Sequence, residues 1–154
     1  MPVIKHDIIA MAGEFSVPVP RVFAAWRDTA ALHRWCFPGD SSWISRMDEN
    51  DFNVGGRKRS SFGLRGEALY SEETRYLEIH PNELIVMAQT VSVSGKRVSA
   101  SLICVEIEPI DGGTSMLLTD QIALFDSTDS PERRRSGWHE MLDKLQREVL
   151  QPTF

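Results

Sequence analysis

Six strand-like segments follow one another between Trp43 and Leu124, and they constrain the fold more than any other feature of this 154-residue chain. The predicted strands cover residues 43–48, 57–64, 67–79, 84–94, 97–109 and 114–124. The segments between them carry turn residues, among them Gly55-Gly56 and Gly112-Gly113. Because every connection is short, successive strands are expected to pair as antiparallel hairpins.

One strand and two short helices are predicted before this region. Residues 6–15 form an apolar, strand-like stretch. Pro20 is expected to begin a helix that runs to Arg27, because the missing proline N–H would be unpaired in a first turn anyway. Asp28 or Thr29 can cap a second helix that ends at Trp35.

The last predicted element is a long amphipathic helix. It begins after Ser130, a good N-cap, with Pro131 at its first position. Its apolar residues form one stripe at helical spacing, namely Trp138, Met141, Leu142, Leu145 and Val149. Gly137 costs such a helix roughly 1 kcal/mol relative to alanine. We therefore expect Gly137 to let the helix lie close to the sheet or the short helices, and Trp138 to anchor it in the core.

This order of elements predicts an α+β fold in which one long helix lies across a seven-stranded antiparallel sheet. A sheet of this size twists and curls. A curled sheet around a helix can leave a hollow between the two. The length is that of one domain, so residues 1–154 are predicted to form a single domain.

Composition excludes several classes of function. The net charge of −5 argues against general nucleic-acid binding, which needs a basic surface. The short basic runs at 57–59 and 133–135 are predicted to be solvated, with an anion-binding patch as the alternative. The sequence has neither an apolar run long enough for membrane insertion nor a signal-peptide pattern, so a cytoplasmic location is expected. Neither the two cysteines nor the four histidines have metal-ligand spacing, so no metal and no cofactor is predicted.

Five motifs in sequential order resemble one known family. They lie at residues 17–35, at 51–56 (DFNVGG), at 77–86 (LEIHPNELIV), at 112–119 and at 136–145 (SGWHEMLDKL). Over roughly residues 8–150 the chain is similar to START-like (SRPBCC) domains, and most similar to the branch named for the activator of heat-shock-protein ATPase. The resemblance implies the helix-grip fold, a curved sheet wrapped on a long C-terminal helix. That fold serves lipid carriers, hormone receptors, cyclases and co-chaperone modules. The chain departs from the family pattern at Cys36, often an aromatic residue there, and at Asp120, often a histidine.

Asp120 is the candidate polar group of the hollow. Strand alternation puts it on one face with Met116, Leu118 and Ile122, where an unpaired carboxylate would be costly and would have a raised pKa. It can serve as a polar anchor or general base in the hollow. Alternatively it lies at the rim of the sheet or pairs with an arginine, the candidates being Arg57, Arg59 and Arg75.

The candidate ligand-binding residues are those expected on the inner face of the sheet, on the long helix or at the mouth of the hollow. They are Trp35, Phe37, Trp43, Arg57, Arg75, Ile103, Met116, Asp120, Trp138, Met141 and Leu142. Trp35 and Trp43 flank the loop expected at the mouth. No catalytic residue is assigned, and both a monomer and a homodimer are compatible with the sequence.

Three functions remain open at this point. The first is the binding of a small hydrophobic molecule between the sheet and the long helix. The second is a cyclase-like or hydrolase-like enzyme that uses Asp120 in the same cavity. The third, implied by the resemblance alone, is a co-chaperone-like module that stimulates a chaperone ATPase.

Overall fold

The seven strands form one antiparallel sheet with three helices, as the element order predicts. A computed structural model describes residues 4–152. The elements in chain order are β1 (Lys5–Phe15), α1 (Val19–Arg27), α2 (Thr29–Cys36), β2 (Trp43–Asn50), β3 (Arg57–Leu64), β4 (Tyr70–His80), β5 (Leu84–Val93), β6 (Lys96–Ile110), β7 (Gly113–Leu124) and α3 (Pro131–Val149). The order of strands across the sheet is β1-β7-β6-β5-β4-β3-β2. The predicted α+β helix-grip fold is confirmed.

Strand β7 shows how alternation divides the sheet into an inner and an outer face. Met116, Leu118, Asp120 and Ile122 are buried, whereas the residues that alternate with them are exposed or half-buried. The register places Asp120 opposite Ile9 of β1 on one side and Ile103 of β6 on the other. Asp120 is therefore enclosed by two buried isoleucines in the interior of the sheet and does not lie at its rim.

Tight turns and bulges bend the sheet. A Cβ added to Gly56 would collide with the backbone carbonyl of Asp51, and one added to Gly113 would collide with that of Phe15. The strand pairing shifts register at three places and increases the local twist there. These shifts lie in β2 at 47–49, in β4 at 76–78 and in β5 at 91–92. The sheet is thus curved around its inner face.

The C-terminal half of α3 is tied to the rest of the molecule. Leu145 and Val149 are buried, and α3 packs against α1, α2 and β1. The guanidinium of Arg21 donates to the carbonyl oxygen of Val149, and Arg34 pairs with Glu148 at 2.6 Å. These contacts hold the C-terminal end of the helix. The N-terminal half of α3 lies over β6 and β7, where Arg134 contacts Ser99 and Asp120.

Three tryptophans connect the helices to the sheet. The rings of Trp26 and Trp35 are 4.7 Å apart edge to face, and Trp138 lies 6.5 Å from Trp26. Each indole N–H has an acceptor: Met116 Sδ for Trp26, the Ala25 carbonyl for Trp35 and Asp120 for Trp138. Trp138 is only 6% exposed, as the prediction of a core anchor requires.

Candidate ligand-binding cavity

A cavity of about 380 Å³ lies between the N-terminal half of α3, the end of α2 and the inner face of the sheet. Its volume falls within the range of about 300–1,000 Å³ that small-molecule sites occupy. Its walls are mainly apolar and include Trp26, Trp35, Phe37, Met87, Ile103 and Met141. The hollow expected from a curled sheet and a long helix is therefore present in the structure.

A row of stacked aromatic rings forms one wall. Phe62 of β3 lies between Trp43 of β2 and Tyr70 of β4, with ring centroids 6.5 and 5.5 Å apart and interplanar angles of 21° and 18°. Phe37, in the segment after α2, contacts the same Phe62 ring at 5.6 Å. All four residues line the cavity. Together they offer a broad aromatic surface to any molecule inside.

Gly137 lines this cavity, and the prediction that it allows a close approach is wrong. A Cβ added at Gly137 would meet no atom within 4 Å. Because α3 bridges the hollow at this point, the missing side chain enlarges the cavity. Helical periodicity alone does not distinguish a glycine that faces a neighbour from one that faces an empty space.

Asp120 lies behind Trp138 in a buried polar cluster. Its Oδ2 accepts from Trp138 Nε1 at 3.0 Å and from a terminal nitrogen of Arg134 at 3.3 Å. Arg134 also pairs with Asp129 at 3.2 Å and donates to the hydroxyls of Ser99 and Ser101. Oδ1 of Asp120 has no hydrogen-bond partner within the described part of the chain.

The prediction that Asp120 pairs with Arg57, Arg59 or Arg75 is wrong, although an arginine does pair with it. Arg57 pairs with Glu49 and Glu73, and Arg75 donates to the carbonyl oxygen of Gly55. Arg59, which alternates with inner-face Lys58 and Ser60, is exposed. Arg134 pairs with Asp120 instead because α3 folds back across the sheet and brings its first turns over β6 and β7.

The candidate residues divide into two groups. Those that line the cavity are Trp35, Phe37, Trp43, Ile103, Trp138 and Met141. Those outside its lining are Arg57, Arg75, Met116, Asp120 and Leu142. Arg57 and Arg75 are cross-strand neighbours on the outer face of β3 and β4. Met116 is buried beneath Trp26, and Leu142 packs against the core.

Several polar groups that line the cavity were not among the candidates. Cys36 ends α2, Lys58 and Ser60 lie on β3, Glu72 lies on β4, and Lys144 lies on α3. Alternation from Phe62 puts Ser60 and Lys58 on the inner face. The alternation of side chains along β3 could therefore have predicted Lys58 and Ser60 as cavity residues. The prediction that the basic run at 57–59 is solvated drew attention away from this alternation.

The thiol of Cys36 stays protonated in this setting. Burial, the main cause, raises its pKa to about 12, although Lys58 and Lys144 act in the opposite direction. The ammonium of Lys144 donates to the carbonyl oxygen of Phe37, and burial lowers its pKa. A protonated thiol is a poor nucleophile, so Cys36 is a packing residue of the cavity wall in this structure.

The described residues contain no group of three or more His, Cys, Asp or Glu side chains arranged to hold a metal ion. Within residues 4–152, no helix has both the length and the apolar character needed to cross a bilayer.

Comparisons with known proteins agree on the fold. Residues 16–149 match the family described as Activator of Hsp90 ATPase homolog 1-like protein. A protein from Rhizobium leguminosarum is 27% identical, with 97% of each chain covered and a TM-score of 0.86. The Mll3558 protein from Rhizobium loti is 30% identical, with 95% of this chain and 99% of that chain covered and a TM-score of 0.86.

An AHSA1-like protein from Aeromonas hydrophila is 21% identical, with 93% of this chain and 92% of that chain covered. Its TM-score of 0.66 shows a shared fold alone. No curated protein matches the chain by sequence.

Proposed function

Because the chain belongs to the family of Activator of Hsp90 ATPase homolog 1-like proteins, we propose that it binds a small hydrophobic molecule in the cavity between α3 and the sheet. The observation that carries this proposal is the cavity of about 380 Å³ with its mainly apolar walls. Burial of apolar ligand surface there would supply roughly 25 cal/mol per Å² before the costs of association.

The aromatic row favours a ligand with a flat or aromatic body. Trp43, Phe62 and Tyr70 lie on adjacent strands and are already stacked, so their ring orientations are set before a ligand arrives. Side chains ordered in advance lose little conformational entropy on binding. A planar apolar molecule could extend this stack toward Phe37.

Gly137 provides a direct test, because a side chain there would project into the empty space. N-phenylnaphthylamine, an uncharged dye that fluoresces in apolar sites, is titrated into the native protein and into Gly137→Phe and Gly137→Ala. We expect Gly137→Phe to lose most of the fluorescence increase and to keep its thermal unfolding temperature. Gly137→Ala, the matched control, should bind about as the native protein does.

Two results would contradict the proposal. One is no binding of the dye by the native protein. The other is unchanged binding by a folded Gly137→Phe variant, since the dye would then lie elsewhere.

Asp120 supports the fold in this proposal and is not assigned as a catalytic base. Its carboxylate lies outside the cavity lining and is fully buried, and one of its oxygens is held by both Trp138 and Arg134. A general base must come within hydrogen-bond reach of the proton that it removes. The cytoplasmic location remains a prediction from the sequence, and the sequence leaves the choice between a monomer and a homodimer open.

A further inference from the structure

The cavity has a charged region as well as an apolar one. Lys58 of β3 and Lys144 of α3 enter it from opposite walls. Cys36 lines the same cavity, and both charges act on the pKa of its thiol. Glu72 of β4 acts on the same thiol.

These two lysines have no ion-pair partner among residues 4–152. Arg134, which also lines the cavity, is paired with Asp129 and Asp120. Three carboxylates line the cavity as well: Glu72 accepts a hydrogen bond from Ser60 at 3.2 Å, Asp129 pairs with Arg134, and Glu140 is exposed. Among residues 4–152, none of the three forms an ion pair with Lys58 or Lys144. The thiol of Cys36 is neutral, so it does not compensate either ammonium.

An ammonium group in such a place is only partly stabilised. Burial lowers the pKa of Lys144, and its observed partner is a neutral carbonyl, that of Phe37. An uncharged ligand would remove more water from both ammonium groups and offer no charge in return. A ligand anion would replace that water with charge-assisted hydrogen bonds.

We infer that the ligand is an amphiphilic organic anion whose acidic group lies between Lys58 and Lys144 and whose apolar body lies against Trp43, Phe62 and Tyr70. This inference rests on the proposed function and specifies its ligand class. A carboxylate or a sulfonate fits the two ammonium groups, since each presents several acceptor oxygens to separate donors.

The experiment compares two dyes that differ in one charged group. Anilinonaphthalene sulfonate carries a sulfonate on the framework of the uncharged N-phenylnaphthylamine. Both are titrated into the native protein and into Lys58→Met, Lys144→Met and Lys144→Gln, with Lys5→Met as the control because Lys5 is exposed on β1. Methionine keeps the apolar stem and removes the charge.

We expect each cavity variant to weaken binding of the sulfonate dye about five- to tenfold, the range for losing a partly buried charge contact. Binding of the uncharged dye should stay the same or become tighter, and Lys5→Met should change neither. Thermal unfolding identifies the variants that remain folded, and Lys58→Met carries the test if both Lys144 variants unfold.

The inference is wrong if the folded cavity variants lose affinity for both dyes equally. It is also wrong if they bind both dyes as tightly as the native protein does. Binding of both dyes without dependence on the lysines would overturn the anionic ligand and leave the hydrophobic site intact. A native protein that binds neither dye would overturn the proposed function together with this inference.

Discussion

Trp138 Nε1 donates a hydrogen bond of 3.0 Å to Oδ2 of Asp120, and this bond joins α3 to the centre of the sheet. The same oxygen accepts from Arg134, one helical turn before Trp138. One buried carboxylate thus fixes two successive turns of α3 above β7. The N-terminal half of the helix is held in place over the cavity without apolar packing filling the space beneath Gly137.

Trp138→Ala should lower the free energy of unfolding by about 3–5 kcal/mol, because it removes a buried indole from the tryptophan cluster. Trp138→Phe keeps much of the packing and loses the hydrogen bond, so it should cost about 1–3 kcal/mol. Urea unfolding followed by circular dichroism measures both. A change within about 0.5 kcal/mol for Trp138→Ala would refute its role as core anchor.

Arg134→Met should destabilise the protein by about 3–5 kcal/mol, because Asp120 would remain buried with a single donor, the indole of Trp138. Arg133→Met is the matched control, since Arg133 is its exposed neighbour and should change stability by no more than about 0.5 kcal/mol. Combining Arg134→Met with Asp120→Asn in a double-mutant cycle should recover part of the loss. Additive effects of the two changes would show that the residues do not interact.

Gly137→Ala should stabilise the protein by roughly 0.5–1 kcal/mol, because alanine restricts the unfolded chain and its Cβ meets no atom within 4 Å. The unfolding temperature and the urea midpoint both measure the effect. Gly113→Ala is the contrasting variant, since its Cβ would collide with the Phe15 backbone, and it should be destabilised. A loss of stability in Gly137→Ala would mean that an atom of a neighbouring element lies within 4 Å of the added Cβ.

Cys36 should resist alkylation at pH 8 in a Cys104→Ser variant. With a pKa of about 12, only about one thiol in ten thousand is ionised at that pH, and the rate should rise about tenfold per pH unit. Cys104, tested in Cys36→Ser, is half-buried as Cys36 is but lies on the outer face of β6, and it should react faster, although burial also raises its pKa. Iodoacetamide labelling followed by mass spectrometry gives both rates, and equal rates would contradict the buried environment of Cys36.

The raised pKa of Cys36 also has a consequence for stability. The folded protein holds this proton more tightly than the unfolded chain does. The resulting stabilisation is complete below the ordinary thiol pKa, about 8.5, and is lost as the pH rises from there toward about 12. Cys36→Ser should therefore show a weaker decline of the free energy of unfolding across this interval.

The strands, turns and helix starts were predictable because they depend on short-range chemistry. The Ser130 side chain accepts from the backbone N–H of Arg133, as an N-cap does, and alternation along β7 puts Asp120 on the apolar face. β4 begins at Tyr70 where the pattern predicts residue 67, because residues 68 and 69 pack over Gly63 before the strand starts. Among the candidates that line the cavity, Ile103, Trp138 and Met141 follow from strand or helix periodicity, whereas Trp35, Phe37 and Trp43 follow from their position at the expected mouth.

The sequence by itself determined which residues are helical or extended, which side of each strand is apolar, and hence the α+β class. Only the tertiary structure decided that Arg134 pairs with Asp120, that Gly137 faces an empty space, and that Lys58 and Lys144 line one cavity with Cys36. The physical reason is that local periodicity defines a direction for each side chain, whereas its neighbour depends on the curvature of the sheet and the path of α3 across it.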